Sequence, residues 1–209
     1  MQKPRRGGRP KSEEKRDAIL SAATDLFLDR GLRGTSMDAV AQAAGVSKQT
    51  VYSHFANKDE LFRNCIRNKI ASYGFDEGAP VETGDIRESL FNLVKRFMAL
   101  IFDSEVVAMH RVIMGEAASY PRIASLFFES GPGATKLAVS SFLQQLVTRG
   151  ALRPHDTVYA AWQLLNMAVG NFQAKLQFGL IERVPEQELD DHLRRTVEDF
   201  LVLYGARAD

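Results

Sequence analysis

The stretch GVSKQTVYSHF, residues 45–55, has side chains that divide into two sets. Val51 and Phe55 are apolar, and their four-residue spacing places both on one face of a helix. Almost all the other side chains are hydroxyls, amides, a lysine or a histidine, which a helix built only to pack does not need. Gly45 permits a tight turn, and Ser47 is a suitable N-cap. The stretch predicts a short helix with a polar face turned outward.

A second short helix is expected just before this one, near residues 36–43. Thr35 and Asp38 form a capping signature for its first turn. Ala41 is small, so the two helices can cross closely. Two short helices joined by a turn that contains glycine are typical of a helix-turn-helix, whose second helix enters the major groove of DNA. We therefore predict a helix-turn-helix over about residues 36–55.

Helical periodicity runs through the chain and strand signals are nearly absent, so the predicted fold class is all-α with about nine to ten helices. Residues 1–12 are expected to form a disordered basic arm. Residues 13–73 are expected to form a three-helix helix-turn-helix DNA-binding domain with a fourth helix behind it, and Gly31 should end the first helix. Residues 74–209 should form a helical bundle for ligand binding and dimerisation. Its helices are predicted near 86–103, 105–119, 121–130, 132–150, 155–179 and 186–205.

The charge is distributed unevenly along the 209 residues. Residues 1–69 hold 14 Lys or Arg against 8 Asp or Glu, whereas residues 70–209 hold 13 against 18. This asymmetry favours a polyanionic partner for the N-terminal part.

Composition and motifs exclude several classes of protein. No apolar run is long enough to span a membrane, and the basic N-terminus has no apolar segment of a secretory signal. Nucleotide-binding loops, hydrolase elbows, zinc-protease motifs and paired cysteines are absent, so we expect no enzyme and no cofactor. Cys65 is expected to be a buried thiol, with a redox role as the weaker alternative. We expect a cytoplasmic, nucleoid-associated protein.

The outward side chains of the predicted recognition helix suit the chemistry of DNA. Gln49 is suited to adenine and Lys48 to guanine, while hydroxyls bind phosphate oxygens. Lys58, at the start of the next helix, lies beside free backbone N–H groups that favour phosphate. No ligand pattern surrounds His54, so no metal site is expected. The predicted DNA-binding residues are Arg5, Arg6, Arg9, Thr35, Ser36, Ser47, Lys48, Gln49, Thr50, Tyr52, Ser53, His54 and Lys58.

Residues 18–62 closely resemble the DNA-binding domain of the TetR family of bacterial transcriptional repressors. The matching positions are Ala23, Phe27, Gly31, Thr35, Ser36, Ala41, Gly45, Val46, Tyr52, Phe55, Lys58 and Leu61. The resemblance implies contacts with phosphate or a base for Tyr52, with phosphate for Lys58, and with the DNA backbone for Thr50 and His54. Many members carry glycine where this chain has Gln49, so its side chain could reach a base edge. MGEAASYPRIASLFFESGP, residues 114–132, resembles the AefR-type C-terminal domain.

The second domain contains more large apolar side chains than one helical stripe requires. Core packing is the default for most of them, but helical bundles also hold ligand sites between their helices. The predicted ligand-binding residues are Met98, Phe102, Met109, His110, Ile113, Phe127, Trp162, Asn166 and Gln173.

These observations predict a ligand-responsive transcriptional regulator, most simply a repressor. It would bind a palindromic double-stranded DNA operator as a homodimer, through helices near 155–179 and 186–205, and a small lipophilic effector would release it. Two alternatives stay open at this point. The chain could be an architectural DNA-binding protein whose second domain only dimerises, or a helical carrier of small molecules that does not bind DNA.

Overall fold

A computed structural model describes residues 11–76 and 84–206, and within them the fold is all-α, as predicted. The described residues form no β-strand beyond an isolated antiparallel bridge between Leu152 and Gly205. The α-helices are α1 Lys11–Gly34, α2 Met37–Ala43, α3 Lys48–His54, α4 Lys58–Ser72, α5 Ile86–Phe102, α6 Ser104–Ala117, α7 Pro121–Phe128, α8 Ala134–Thr148, α9 Thr157–Val169, α10 Phe172–Gln177 and α11 Glu186–Tyr204.

Three short-range caps define the helix-turn-helix and the start of α4. The side chains of Ser36, Ser47 and Asn57 accept hydrogen bonds from backbone N–H groups in the first turns of α2, α3 and α4. The prediction that Thr35 caps α2 is wrong by one residue. The Thr35 hydroxyl is buried and donates backwards to the carbonyl of Gly31 at 2.8 Å, so Ser36 occupies the capping position.

Gly31 interrupts α1 close to its C-terminus. Its backbone has φ 71° and ψ 175°, a region that residues with a Cβ avoid. A Cβ built at Gly31 would lie 1.7 Å from the Oε1 atom of Glu116 on α6. The backbone angle therefore favours glycine here, and an added Cβ would in addition force the Glu116 side chain to move.

The second half of the chain departs from the predicted helix boundaries in two places. The single helix predicted over 155–179 is two helices, because Gly170 at φ 50° ends α9 before α10 begins. The prediction that a break lies at residues 131–133 is also wrong. Residues Glu129–Gly133 form a π-helical turn that contains Pro132 and joins α7 directly to α8.

Two apolar clusters form the core. The larger one is built from α5, α8, α9 and α11, with Ile70 from the end of α4. The smaller one fills the centre of α1–α4, and it also contains Met109 and Ile113 of α6 and Ile123 and Leu126 of α7. The helix-turn-helix region thus shares its core with α6 and α7.

Candidate nucleic-acid interface and effector cavity

Helix α3 is attached to the protein by two residues and presents most of its remaining surface outward. Val51 and Phe55 are buried at 0% and 1% exposure in the core of the first four helices. Gln49 is exposed, and Tyr52 remains 45% exposed although it is a large aromatic residue. This is the division between buried and outward side chains that the sequence predicted.

The hydroxyl groups of α3 are partly used by the helix itself. Ser47 Oγ accepts from the Thr50 backbone N–H at 3.1 Å and lies 2.8 Å from Thr50 Oγ1. Ser53 Oγ donates to the Thr50 carbonyl at 2.7 Å. One of the two hydroxyls donates to the other within this pair. The second hydroxyl proton remains able to donate to a phosphate oxygen.

Lys48 lies at the edge of this surface, beside the first turn of α2. Its ammonium is 2.7 Å from Asp38 Oδ1, and both side chains are more than half exposed. The hydrogen bond and the charge of Asp38 raise the pKa of Lys48. Because an ammonium carries three donors, Lys48 can keep Asp38 and still donate to a base or a phosphate.

Lys58 opens α4 and connects it to the segment before α2. Its Nζ donates to the Thr35 carbonyl at 2.8 Å, and burial lowers its pKa. The Thr35 hydroxyl therefore points inward, and the Thr35 carbonyl accepts the hydrogen bond from Lys58. The prediction that the Thr35 side chain contacts DNA does not fit this geometry.

The other predicted DNA-binding residues have different surroundings. Ser36 caps α2 by accepting from the Ala39 N–H at 3.1 Å. His54 is half-buried, with its ring 6.2 Å from that of Phe55. Arg5, Arg6 and Arg9 lie outside the described residues. Within residues 11–76 and 84–206, no group of His, Cys, Asp and Glu side chains could hold a metal ion.

A cavity of about 590 Å³ lies between the first four helices and the second domain. α1 and α4 contribute Thr24, Asp25 and Lys69 to its wall, among others. The opposite wall comes from α5 to α10 and includes Gly131 and Pro132 of the π-helical turn. A molecule in this cavity would touch the helix-turn-helix region and the second domain at once.

Six of the nine predicted ligand-binding residues line this cavity. They are Met109, His110, Phe127, Trp162, Asn166 and Gln173. The other three do not line it. Met98 is fully buried in the larger cluster, Ile113 belongs to the smaller one, and Phe102 packs on the larger cluster with its ring 6.4 Å from that of Phe172.

Sequence profiles of known protein families match both halves of the chain. The sequence profile of the bacterial regulatory proteins of the tetR family matches residues 19–65. The profile of the C-terminal domain of AefR-like transcriptional repressors matches residues 88–206, which is more than half of the chain. The chain belongs to the TetR family of transcriptional regulators.

Three relatives show how the similarity is distributed. The transcriptional regulator HbdR of an Aromatoleum species is 25% identical over 202 residues, which cover 94% of this chain and 85% of that protein. The solved structure of the flavonoid-responsive regulator FrrA is 32% identical, with a TM-score of 0.75, and covers 94% of this chain and 100% of FrrA. The transcriptional activator FasR of Mycolicibacterium smegmatis is 47% identical over only 58 residues, 28% of this chain and 26% of FasR.

Members of the TetR family are DNA-binding transcriptional regulators and not enzymes, as the sequence predicted. Among the relatives, KstR2 is named a transcriptional repressor and IcaR a negative transcriptional regulator. In the part of this TetR-family chain that the structure describes, no helix combines the length and apolar character needed to cross a bilayer.

The sequence did not reveal that α1 and α4 line the cavity of this TetR-family regulator. Thr24, Asp25 and Lys69 fall in the DNA-binding half of the sequence, so a search for ligand contacts in the second half omitted them. One signal was available. Lys69 lies near the end of α4, the last helix before the second domain in the sequence.

Proposed function

We propose that this TetR-family regulator is a repressor that binds a palindromic operator as a homodimer and is released by a small lipophilic effector. The observation that carries the proposal is the position of the cavity. Its wall contains Thr24 and Lys69 of α1 and α4 together with Trp162 of α9, so an occupant can alter how the helix-turn-helix region sits on the second domain.

The switch can act only by as much as effector affinity differs between the DNA-bound and released states. Couplings of this kind are about 1–3 kcal/mol, so saturating effector should weaken operator binding by roughly 5- to 150-fold. A binding site selected from random DNA provides the operator, and fluorescence anisotropy measures its affinity with and without effector. Unchanged operator affinity at saturation would contradict the switch.

The dimer is proposed to form where α9 begins and α11 ends. Four apolar side chains are exposed there, Val158 and Tyr159 on α9 and Val202 and Leu203 on α11, and Val202 is 85% exposed. The Tyr204 hydroxyl of α11 donates to Gln163 of α9, which brings these two helix segments together. Exposed apolar patches are typical of protein–protein contacts. A dimer would place two recognition helices on half-sites about 34 Å apart.

Val202→Glu tests this surface. The variant should become monomeric in light scattering, whereas Phe178→Glu, at an exposed apolar residue on a different segment, should stay dimeric. A Val202→Glu dimer, or loss of the dimer in both variants, would contradict this assignment of the interface.

The contacts with DNA are proposed to divide between bases and phosphates. Gln49 and Lys48 are assigned to bases, and Tyr52, Thr50, His54 and Lys58 to phosphates. Gln49→Ala should relax sequence preference at one operator position by about 1–3 kcal/mol. Tyr52→Phe should weaken all operator sequences alike by about 1 kcal/mol. Equal, sequence-independent losses from both changes would argue against this division.

The basic arm, which lies outside the described residues, is proposed to reach the minor groove through Arg5, Arg6 and Arg9. Each phosphate contact that is lost lowers the slope of log affinity against log salt by about 0.9. Deleting residues 1–11 should therefore weaken operator binding and flatten its salt dependence. If neither changes, the arm takes no part in binding.

The relative FrrA is named a flavonoid-responsive regulator, which supports an aromatic effector for this chain too. An architectural protein would instead protect DNA broadly in footprinting and would not respond to any ligand, and a carrier would protect none.

A further inference from the structure

The charged groups around the cavity carry an excess of negative charge. The lining includes the carboxylates of Asp17, Asp25 and Glu105 and the ammonium of Lys69. Lys69 Nζ is 2.7 Å from Glu105 Oε2 and 2.9 Å from Asp103 Oδ2. Lys69 is therefore already paired with protein carboxylates and is not available to an anionic ligand, which the remaining carboxylates of the lining disfavour.

His110 lines the cavity and has one ring nitrogen that can accept a hydrogen bond. Its Nδ1 lies 2.9 Å from the Val106 carbonyl, one turn earlier on α6, so Nδ1 carries a hydrogen. Burial lowers the pKa of His110, which keeps the ring neutral near pH 7. Nε2, on the side of the ring away from the α6 backbone, therefore carries a lone pair.

Two hydroxyl groups of the lining have used their protons. Thr24 Oγ1 donates to the Leu20 carbonyl at 2.9 Å, and Ser72 Oγ donates to the Lys69 carbonyl at 2.7 Å. Each oxygen keeps only acceptor capacity towards a ligand. The indole N–H of Trp162 supplies a donor, and amides such as Asn166 can serve either way.

Aromatic side chains make up much of the remaining wall. Phe97, Phe127 and Trp162 line the cavity, and the rings of Phe127 and His110 are in edge-to-face contact at 4.9 Å. An aromatic ligand gains from such contacts in addition to the area that it buries. Around these rings, most of the polar groups whose hydrogen-bonding role is fixed can only accept a hydrogen bond from a ligand.

We propose that the effector is an uncharged aromatic molecule whose hydroxyl group donates to His110 Nε2, and that the cavity discriminates against carboxylates. This inference rests on the proposed function, since it names the class of effector for the same cavity. Hydrogen-bond donors on the ligand match the acceptors of the wall, and a carboxylate would bring neither a donor nor a compatible charge.

Three probes that differ in one substituent test the inference. 4-Phenylphenol offers a donor, 4-methoxybiphenyl offers none, and biphenyl-4-carboxylate is an anion. Calorimetry at pH 7 should show 4-phenylphenol binding about tenfold more tightly than each of the others, as one hydrogen bond and one unfavourable charge predict. Equal affinities, tighter binding of the carboxylate, or no binding of any probe would overturn the proposal.

Two variants assign the discrimination to residues. His110→Leu should reduce the preference for 4-phenylphenol over 4-methoxybiphenyl to less than about threefold, which removes the contribution of one hydrogen bond. Glu105→Gln should raise the affinity for the carboxylate and leave that for 4-methoxybiphenyl unchanged. Met114→Ala, at a 67% exposed position of α6 that does not line the cavity, is the matched control. An unaltered preference in folded His110→Leu protein would exclude the contact with His110.

Operator anisotropy with the same probes separates this inference from the proposed function. If 4-phenylphenol binds selectively but operator affinity does not fall, the inferred preference of the cavity stands and the proposed release of the operator by effector is wrong. Release of the operator by the carboxylate alone would retain the switch and contradict the cavity chemistry.

Discussion

The first four helices and the seven that follow are stabilised in different ways. In the first region, α2, α3 and α4 are short or moderate in length, and each begins with a side-chain cap from Ser36, Ser47 or Asn57. In the second region the helix starts are mixed. α5, α6 and α9 begin with caps from Asp85, Asp103 and Asp156, whereas α7, α8, α10 and α11 begin without a side-chain cap hydrogen bond and depend on packing. Local hydrogen bonds thus fix the start of both helices of the helix-turn-helix and of α4, whereas four of the later helices depend on packing alone at their first turns.

The two regions are nevertheless joined through one core. Met109 and Ile113 of α6 and Ile123 and Leu126 of α7 belong to the same apolar cluster as the helix-turn-helix. A displacement of α6 or α7 would therefore reach the DNA-binding helices by direct packing. The following changes test how separate the two regions are, in order of decreasing expected effect.

Gly31→Ala should give the largest loss of stability. The alanine would need a backbone conformation that costs about 1–3 kcal/mol, and its Cβ would displace Glu116 of α6. Gly150→Ala is the control, because Gly150 also has positive φ at 73° but no atom lies within 4 Å of the added Cβ. Urea unfolding should show the larger loss for Gly31→Ala, and combining it with Glu116→Ala should recover part of the difference. Equal losses would mean that the contact with Glu116 contributes nothing.

Asn57→Ala should have the next largest effect. Loss of the 2.9 Å hydrogen bond that the Glu60 N–H donates to Asn57 Oδ1 should cost about 1 kcal/mol of unfolding free energy. Asn92→Ala, at an exposed position of α5, should stay within about 0.5 kcal/mol of the parent protein. Similar small changes in both variants would show that the caps do not distinguish the two regions.

Arg122→Ala should have a smaller effect, although Arg122 connects the regions. Its Nε donates to Asp59 of α4 at 2.6 Å, but the arginine side chain is 61% exposed. Exposed ion pairs contribute about 0–1 kcal/mol. A double-mutant cycle with Asp59→Asn should give a coupling in that range, and a value above about 2 kcal/mol would identify this pair as a principal connection between the regions.

The smallest expected effect concerns Cys65, whose thiol should react very slowly with thiol reagents in the folded protein. Burial raises the pKa of Cys65 to about 12, so its thiol stays protonated at pH 8. Labelling by a disulfide reagent should be much slower in the native protein than in urea, where the pKa returns to about 8.5. The raised pKa lowers stability only above about pH 8.5, where the unfolded thiol ionises first. Rapid native labelling at pH 8 would contradict this burial.

The sequence predicted the recognition helix well because its determinants are local. Val51 and Phe55 at a four-residue spacing, with Ser47 before them, are sufficient to place the packing and outward faces of α3. Thr35 was misassigned as a cap because two adjacent hydroxyl residues both fit the position. The inward turn of its side chain depends on the backbone of Gly31, which the capping pattern does not include.

The cavity was only partly predictable, since its shape depends on contacts between distant residues. The apolar character of Met98 and Met109 is the same in sequence, yet Met98 is buried in the core and Met109 lines the cavity. The break at Gly170 is equally non-local. A Cβ at Gly170 would lie 3.3 Å from the ring of His192 on α11, a contact that no pattern within α9 or α10 indicates.

The π-helical turn at Glu129–Gly133 makes residues 121–148 one continuous helical rod with a change of winding in its middle. One end of the rod, at Ile123 and Leu126, is embedded in the core that the helix-turn-helix shares, and the other end, from Val139 onwards, in the larger core of the second region. The turn with the altered winding carries Gly131 and Pro132 in the cavity wall. The change in helical winding therefore lies in the part of the rod that an occupant of the cavity would touch.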